Sequence, residues 1–78
     1  TMWIKTTGTA TIDGCKILNS KETATKGASA IYFQNGGTLN IKNSVIDAAS
    51  VSTGFSYGTV YINNADATAT LDNVTISN

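Results

Sequence analysis

AIYFQNGGTLNIKNSVIDA, residues 30–48, has a counterpart on each side: TMWIKTTGTATIDGCKILN at 1–19 and TVYINNADATATLDNVTISN at 59–78. The first two align without a gap at an offset of 29 residues, and the third carries one extra residue around 65–67. Self-similarity at a fixed period of this size marks a repeat architecture. Within each segment apolar residues alternate with polar ones, which is the period of a β-strand. A first strand aims Met2, Ile31 and Val60, then Ile4, Phe33 and Ile62, to one side. A second does the same with Ala10, Leu39 and Ala69, then Ile12, Ile41 and Leu71. A third uses Cys15, Ser44 and Val74, then Ile17, Ile46 and Ile76. Residues 6–8, 35–37 and 64–66 separate the first strand from the second, and Gly14, Asn43 or Asn73 separates the second from the third. Gly and Asn tolerate the left-handed backbone that a sharp corner needs.

A meander would reverse direction at every corner, and equivalent residues would not superpose at a constant offset. Like over like instead predicts parallel pairing between successive turns, about 4.8 Å apart. Aliphatic columns fill the interior, and Asn columns at the corners exchange amide hydrogen bonds along the stack. The expected fold is therefore all-β: a parallel β-solenoid of three rungs, each with three short strands. It forms a single unit over 1–78, with rungs at 1–19, 30–48 and 59–78 and connectors at 20–29 and 49–58. The connectors, rich in small and polar residues, read as solvent loops. Dense Thr, Val and Ile without a 3.6-residue period exclude helix. A hexapeptide-type left-handed helix would repeat at about 18 residues, which this chain does not.

Composition narrows the function. Of 78 residues 41% are hydrophobic and only 13% charged, and the net charge is zero. The cations are five Lys, at 5, 16, 21, 26 and 42, with no Arg or His. No basic patch exists to meet phosphates, so nucleic acid is not an expected partner. The single cysteine, Cys15, cannot form an internal disulfide, and no Cys or His spacing suggests a metal; neither metal nor cofactor is expected. The apolar runs are too short to span a bilayer as helices, so membrane insertion is not expected.

GASAIYFQNGGTLNIKNSVIDAA, residues 27–49, resembles the repeats of chlamydial polymorphic outer-membrane proteins and related adhesin-like surface proteins. Those repeats run Gly-Gly-Ala-Ile-Tyr, then Gly-Gly-Thr-Leu-polar-Ile-polar-Asn-Ser, then Phe-x-x-Asn. Ala30-Ile31-Tyr32 matches the first part and Gly36-Gly37-Thr38-Leu39-Asn40-Ile41-Lys42-Asn43-Ser44 the second. The chain departs from the pattern at Gly27-Ala28-Ser29-Ala30 and at Val45-Ile46-Asp47-Ala48. The resemblance implies a right-handed β-helix in an extracellular or cell-surface protein, and it transfers no ligand.

Right-handed β-helices include polysaccharide-degrading enzymes, whose chemistry needs clustered carboxylates and a strong base. The outward column Asp13, Lys42, Asp72 is the only charged constellation in register, and it reads as a ladder that keeps like charges apart. Asp47, Asp66 and Glu22 fall at unrelated positions, so no catalytic residue is nominated. The outward aromatic column Trp3, Tyr32, Tyr61 could bind sugar rings, although aromatics also stabilise a sheet face on their own. A third face carries Thr9, Thr38 and Thr68 beside Thr11, Asn40 and Thr70, resembling the Thr ranks of ice-binding surfaces. Thr is equally the ordinary polar residue of an exposed strand. Cys15 reads as a small buried residue, and the sequon at Asn73-Val74-Thr75 as a corner rather than a glycosylation site.

The expectation is a structural or adhesive solenoid segment of a surface protein or fibre, with a glycan- or ice-binding module as the alternative and an enzyme fragment third. Thr1 aligns with Ala30 and Asn78 with Ala48, so neither end carries a distinct capping sequence. Uncapped end rungs leave backbone groups unpaired. The chain is thus expected to meet further rungs, either of a longer solenoid or of identical copies head to tail. In the second case a fibre would grow by about 14 Å per chain.

Overall fold

The computed structural model describes residues 2–22, 28–47, 50–51 and 58–77. Every regular element among them is a strand, and every pairing is parallel. In chain order they are β1 (Met2–Lys5), β2 (Thr9–Asp13), β3 (Lys16–Leu18), β4 (Lys21–Glu22), β5 (Ala28–Gln34), β6 (Thr38–Asp47), β7 (Ser50–Val51), β8 (Gly58–Asn63) and β9 (Thr68–Ser77). One sheet is β1-β5-β8. In a second, β6 lies between β9 on one side and β2 and β3 on the other. Residues paired across the sheets are those that the sequence repeat superposes: Met2 with Ile31 and Ile31 with Val60, Ile12 with Ile41 and Ile41 with Leu71.

The core belongs to the middle segment. Ile31, Phe33, Leu39, Ile41 and Ile46 are buried, while their partners Met2, Leu71 and Ile76 remain 42–48% exposed. A side chain in a parallel stack is enclosed most fully when a neighbour covers it on both sides, and among the described residues Ile12, at 7% exposed, is the one buried hydrophobic of an outer layer. Full enclosure is worth about 1.5–3 kcal/mol for a large aliphatic or aromatic residue. Ile4, Ile17, Val60, Ile62 and Val74 pack against this core from the outer layers.

The second corner forms as its residues demand. Gly14, Asn43 and Asn73 have φ of 67°, 51° and 55°, all left-handed. In the first segment this corner separates β2 from β3, but in the second and third segments the strand does not break. β6 and β9 each run through the corner as a single ten-residue element, and Gly14 N–H donating to Lys42 O (3.1 Å) and Val45 N–H to Cys15 O (2.9 Å) join the first segment to β6 at the corner. The side chains add a second ladder. Asn73 Nδ2 donates to Asn43 Oδ1 (3.0 Å), and Asn43 Nδ2 to Asp13 Oδ1 (3.2 Å). Gly14 has no side chain, so Asp13 supplies the last acceptor. Replacing Asn43 by Ala should cost about 2–3 kcal/mol in urea denaturation, combining a strained left-handed Ala with two lost hydrogen bonds. Asn43→Gly should lose only the hydrogen-bond part, and equal losses would show that the backbone conformation is not limiting.

The connectors are shorter than the sequence suggests. Ala28 and Ser29, assigned to the connector at 20–29, belong to β5 and are buried. The register then slips by one residue between Ala28 and Ile31, opposite Gly58, whose φ of 114° permits the bulge. Lys21–Glu22 also pairs with Ser50–Val51 as a fourth parallel contact, where loops were expected. The remaining connector positions, 23–27, 49 and 52–57, and the rung boundaries at 1, 48 and 78 lie outside the described residues. The extra residue of the third segment falls where the alignment puts it. Asp66 N–H donates to Asn64 Oδ1 (2.8 Å) and Ala67 N–H to Asn64 O (3.2 Å), so the chain turns outward and Ala67 returns to the core.

Candidate functional site

The outer face of the β1-β5-β8 sheet carries the most organised surface. Strand alternation brings Trp3, Tyr32 and Tyr61 into one column, because the register pairs Trp3 with Tyr32 and Tyr32 with Tyr61. Two residues further on, the same alternation raises Lys5, Gln34 and Asn63 into a parallel polar column. Tyr32 and Tyr61 stack with centroids 5.2 Å apart and planes within 9°. Trp3 meets Tyr32 edge to face at 6.0 Å and 74°. Such aromatic pairs contribute about 0.5–1.5 kcal/mol beyond the area they bury.

The polar column holds the rings in place. Trp3 Nε1 donates to Gln34 Oε1 (3.0 Å), Asn63 Nδ2 to the Tyr32 hydroxyl (2.7 Å), and the Tyr61 hydroxyl to Asn63 Oδ1 (3.1 Å). The Lys5 ammonium lies 4.8 Å from the Trp3 ring centroid, a cation–π contact. Tyr32 and Tyr61 therefore turn ring faces toward each other and engage both hydroxyls in the Asn63 chain. The open part of the column is Trp3, which is 64% exposed and flanked by the Lys5 and Gln34 polar groups. The sequence reading found the rings and missed Lys5, Gln34 and Asn63. Their spacing of two residues from the aromatics was the available signal.

The Thr ranks lie on the β2-β6-β9 sheet in the expected register: Thr9, Thr38 and Thr68 in one, Thr11, Asn40 and Thr70 in the other. Thr9, Thr11, Thr68 and Thr70 are exposed, whereas Thr38 and Asn40 are half-buried. Asp13, Lys42 and Asp72 also stand in register, in that order. Asp13 is engaged by Asn43, and Asp47, on another strand, accepts from Ser77 Oγ at 2.9 Å. Among the described residues no three His, Cys, Asp or Glu side chains come together as a metal site would need. Nor is any helix among them long and apolar enough to cross a membrane.

Cys15 corrects one expectation. It shares a column with buried Ser44 but is itself exposed, because it belongs to the outer layer and nothing covers it on the far side. Its backbone N–H donates to Ser44 Oγ at 3.2 Å. Asn73, the sequon residue, is exposed and commits its amide to Asn43. Comparisons with protein-family models, curated proteins and solved structures find no match to this chain.

Proposed function

We propose that this chain is a segment of right-handed parallel β-solenoid that serves a structural or adhesive role in an extracellular surface protein or fibre. Its three rungs are 1–19, 30–48 and 59–78, and its partners are further solenoid rungs. The observation that carries the reading is the in-register parallel pairing of like residues across all three segments, with the apolar columns closed in the middle and open at both outer layers. Such stacks gain stability from each nearest-neighbour interface. The right hand and the surface location rest on the resemblance to chlamydial polymorphic outer-membrane and adhesin-like repeats. We assign no catalytic residue and no cofactor.

The experiment is to append a copy of residues 20–48 after Asn78, a connector followed by a rung. The melting temperature should rise by about 5 °C or more, since 1 kcal/mol of added interface corresponds to a shift of that size in a small domain. An unchanged or lower value would count against the stacking reading. The second reading, a binding module, is favoured by the exposure of Trp3 beside Lys5 and Gln34. Retention on a glycan array that Trp3→Ala abolishes would establish it for sugars. Thermal hysteresis lost on replacing Thr11 and Thr70 would establish it for ice.

A further inference from the structure

The two outer edges of the stack differ in chemistry, and the difference specifies what can cover the β9 edge. The corner ladder has a direction: Asn73 donates to Asn43, and Asn43 donates to Asp13. It ends at β2 on a carboxylate, which has no proton to give. At the β9 edge the Asn73 amide nitrogen is thereby committed to Asn43, and its carbonyl oxygen is the acceptor left to continue the ladder. The charge column alternates in the same place, with Asp13 in register beside Lys42 and Lys42 beside Asp72. The β9 edge therefore presents a carboxylate and an amide acceptor side by side, flanked by the exposed apolar side chains of Leu71 and Ile76.

We infer that the β9 edge is a docking surface for a parallel β-strand carrying a cation opposite Asp72 and an amide donor opposite Asn73, and that the first rung of a second copy does not fit it. The inference rests on the solenoid reading and narrows it. In a head-to-tail pair of identical chains, Asp13 of the incoming copy would stand opposite Asp72, and Gly14 opposite Asn73. Like charges directly opposite are destabilising, and Gly14 offers no side-chain donor. The middle rung has the required pair, Lys42 followed by Asn43: on its own side Lys42 stands in register with Asp72, and Asn43 accepts from Asn73. The occupant is thus a strand of the Leu-x-Ile-Lys-Asn type and not of the Ala-x-Ile-Asp-Gly type. The Asp13–Gly14 corner closes the ladder, and the Asn73 corner continues it.

Two extended chains test this. Each bears an appended copy of residues 20–48; in one the copy is unaltered, and in the other it carries Lys42→Asp and Asn43→Gly. Asp-Gly is the natural corner of the first rung and Gly14 adopts the same left-handed φ, so the altered copy keeps a foldable corner. Both chains should melt above the parent. The unaltered extension should exceed the altered one by about 5 °C, with the gap narrowing in high salt as the charge contribution is screened. Equal gains would overturn the inference and leave the stacking reading intact. No gain from either would remove the stacking reading and the inference with it.

Discussion

Ile41→Asp should leave no folded protein at room temperature. Ile41 is 1% exposed and lies between Ile12 and Leu71 in the parallel ladder. The substitution removes about 2–5 kcal/mol of apolar packing. It also encloses a carboxylate with no cation to meet it, whose effective penalty is several kcal/mol more. A domain of this size has total stability on the order of 5–10 kcal/mol, so the two losses together exceed what holds the fold. Thr9→Asp, one strand-face away on the exposed side, should change stability by no more than about 0.5 kcal/mol. Far-ultraviolet circular dichroism distinguishes the two. Equal tolerance would mean that the inner and outer faces are misassigned.

A methyl group at Gly37 should be nearly as damaging, for a different reason. Gly37 is buried at the first corner, with backbone on both sides: Gly8 O accepts from Thr38 N–H (2.8 Å), and Gly37 O accepts from Thr68 N–H (3.0 Å). A Cβ there would lie 2.7 Å from Thr6 O and 2.9 Å from Thr7 C, and closer still to Gly8 O. These are main-chain atoms and cannot rotate away. The first two layers would have to separate at this corner, breaking the Gly8–Thr38 hydrogen bond. Gly37→Ala should therefore cost about 3 kcal/mol or more. Gly36→Ala, whose Cβ would meet side-chain atoms alone, Asp66 Cβ at 3.3 Å and Asn64 Oδ1 at 3.7 Å, should cost under about 1 kcal/mol. Urea midpoints measure both, and matching losses would remove the steric account.

Parallel pairing could be read from the sequence because six columns agreed on an offset of 29 residues between the first two segments and, allowing for one extra residue, again between the second and third. Ile12, Ile41 and Leu71 alone would fit a meander as well. The corners at Asn43 and Asn73 were legible for a chemical reason: few residues other than Gly and Asn accept a left-handed backbone. Ala28 and Ser29 were not legible, since short side chains have the composition of a loop even when a strand encloses them. The Lys21–Glu22 pairing with Ser50–Val51 escaped for a similar reason, being two polar residues long. Cys15 shows a different limit. Periodicity says which way a side chain points, and burial also depends on whether another layer lies beyond it. The aromatic column was read correctly as a column, but the hydrogen bonds that fix it depend on side-chain conformations that no spacing encodes.

The edge-to-face contact between Trp3 and Tyr32 has an optical consequence. Trp3 is the only tryptophan in the chain, and Tyr32 and Tyr61 lie in contact with it or with each other along one column. Light absorbed by either tyrosine can therefore pass along the column and emerge as indole emission. Trp3 belongs to β1 and Tyr32 to β5, so that transfer weakens as the first layer moves away from the second. The ratio of tyrosine to tryptophan fluorescence is thus a built-in gauge of whether the outermost layer has peeled away, readable without any attached dye.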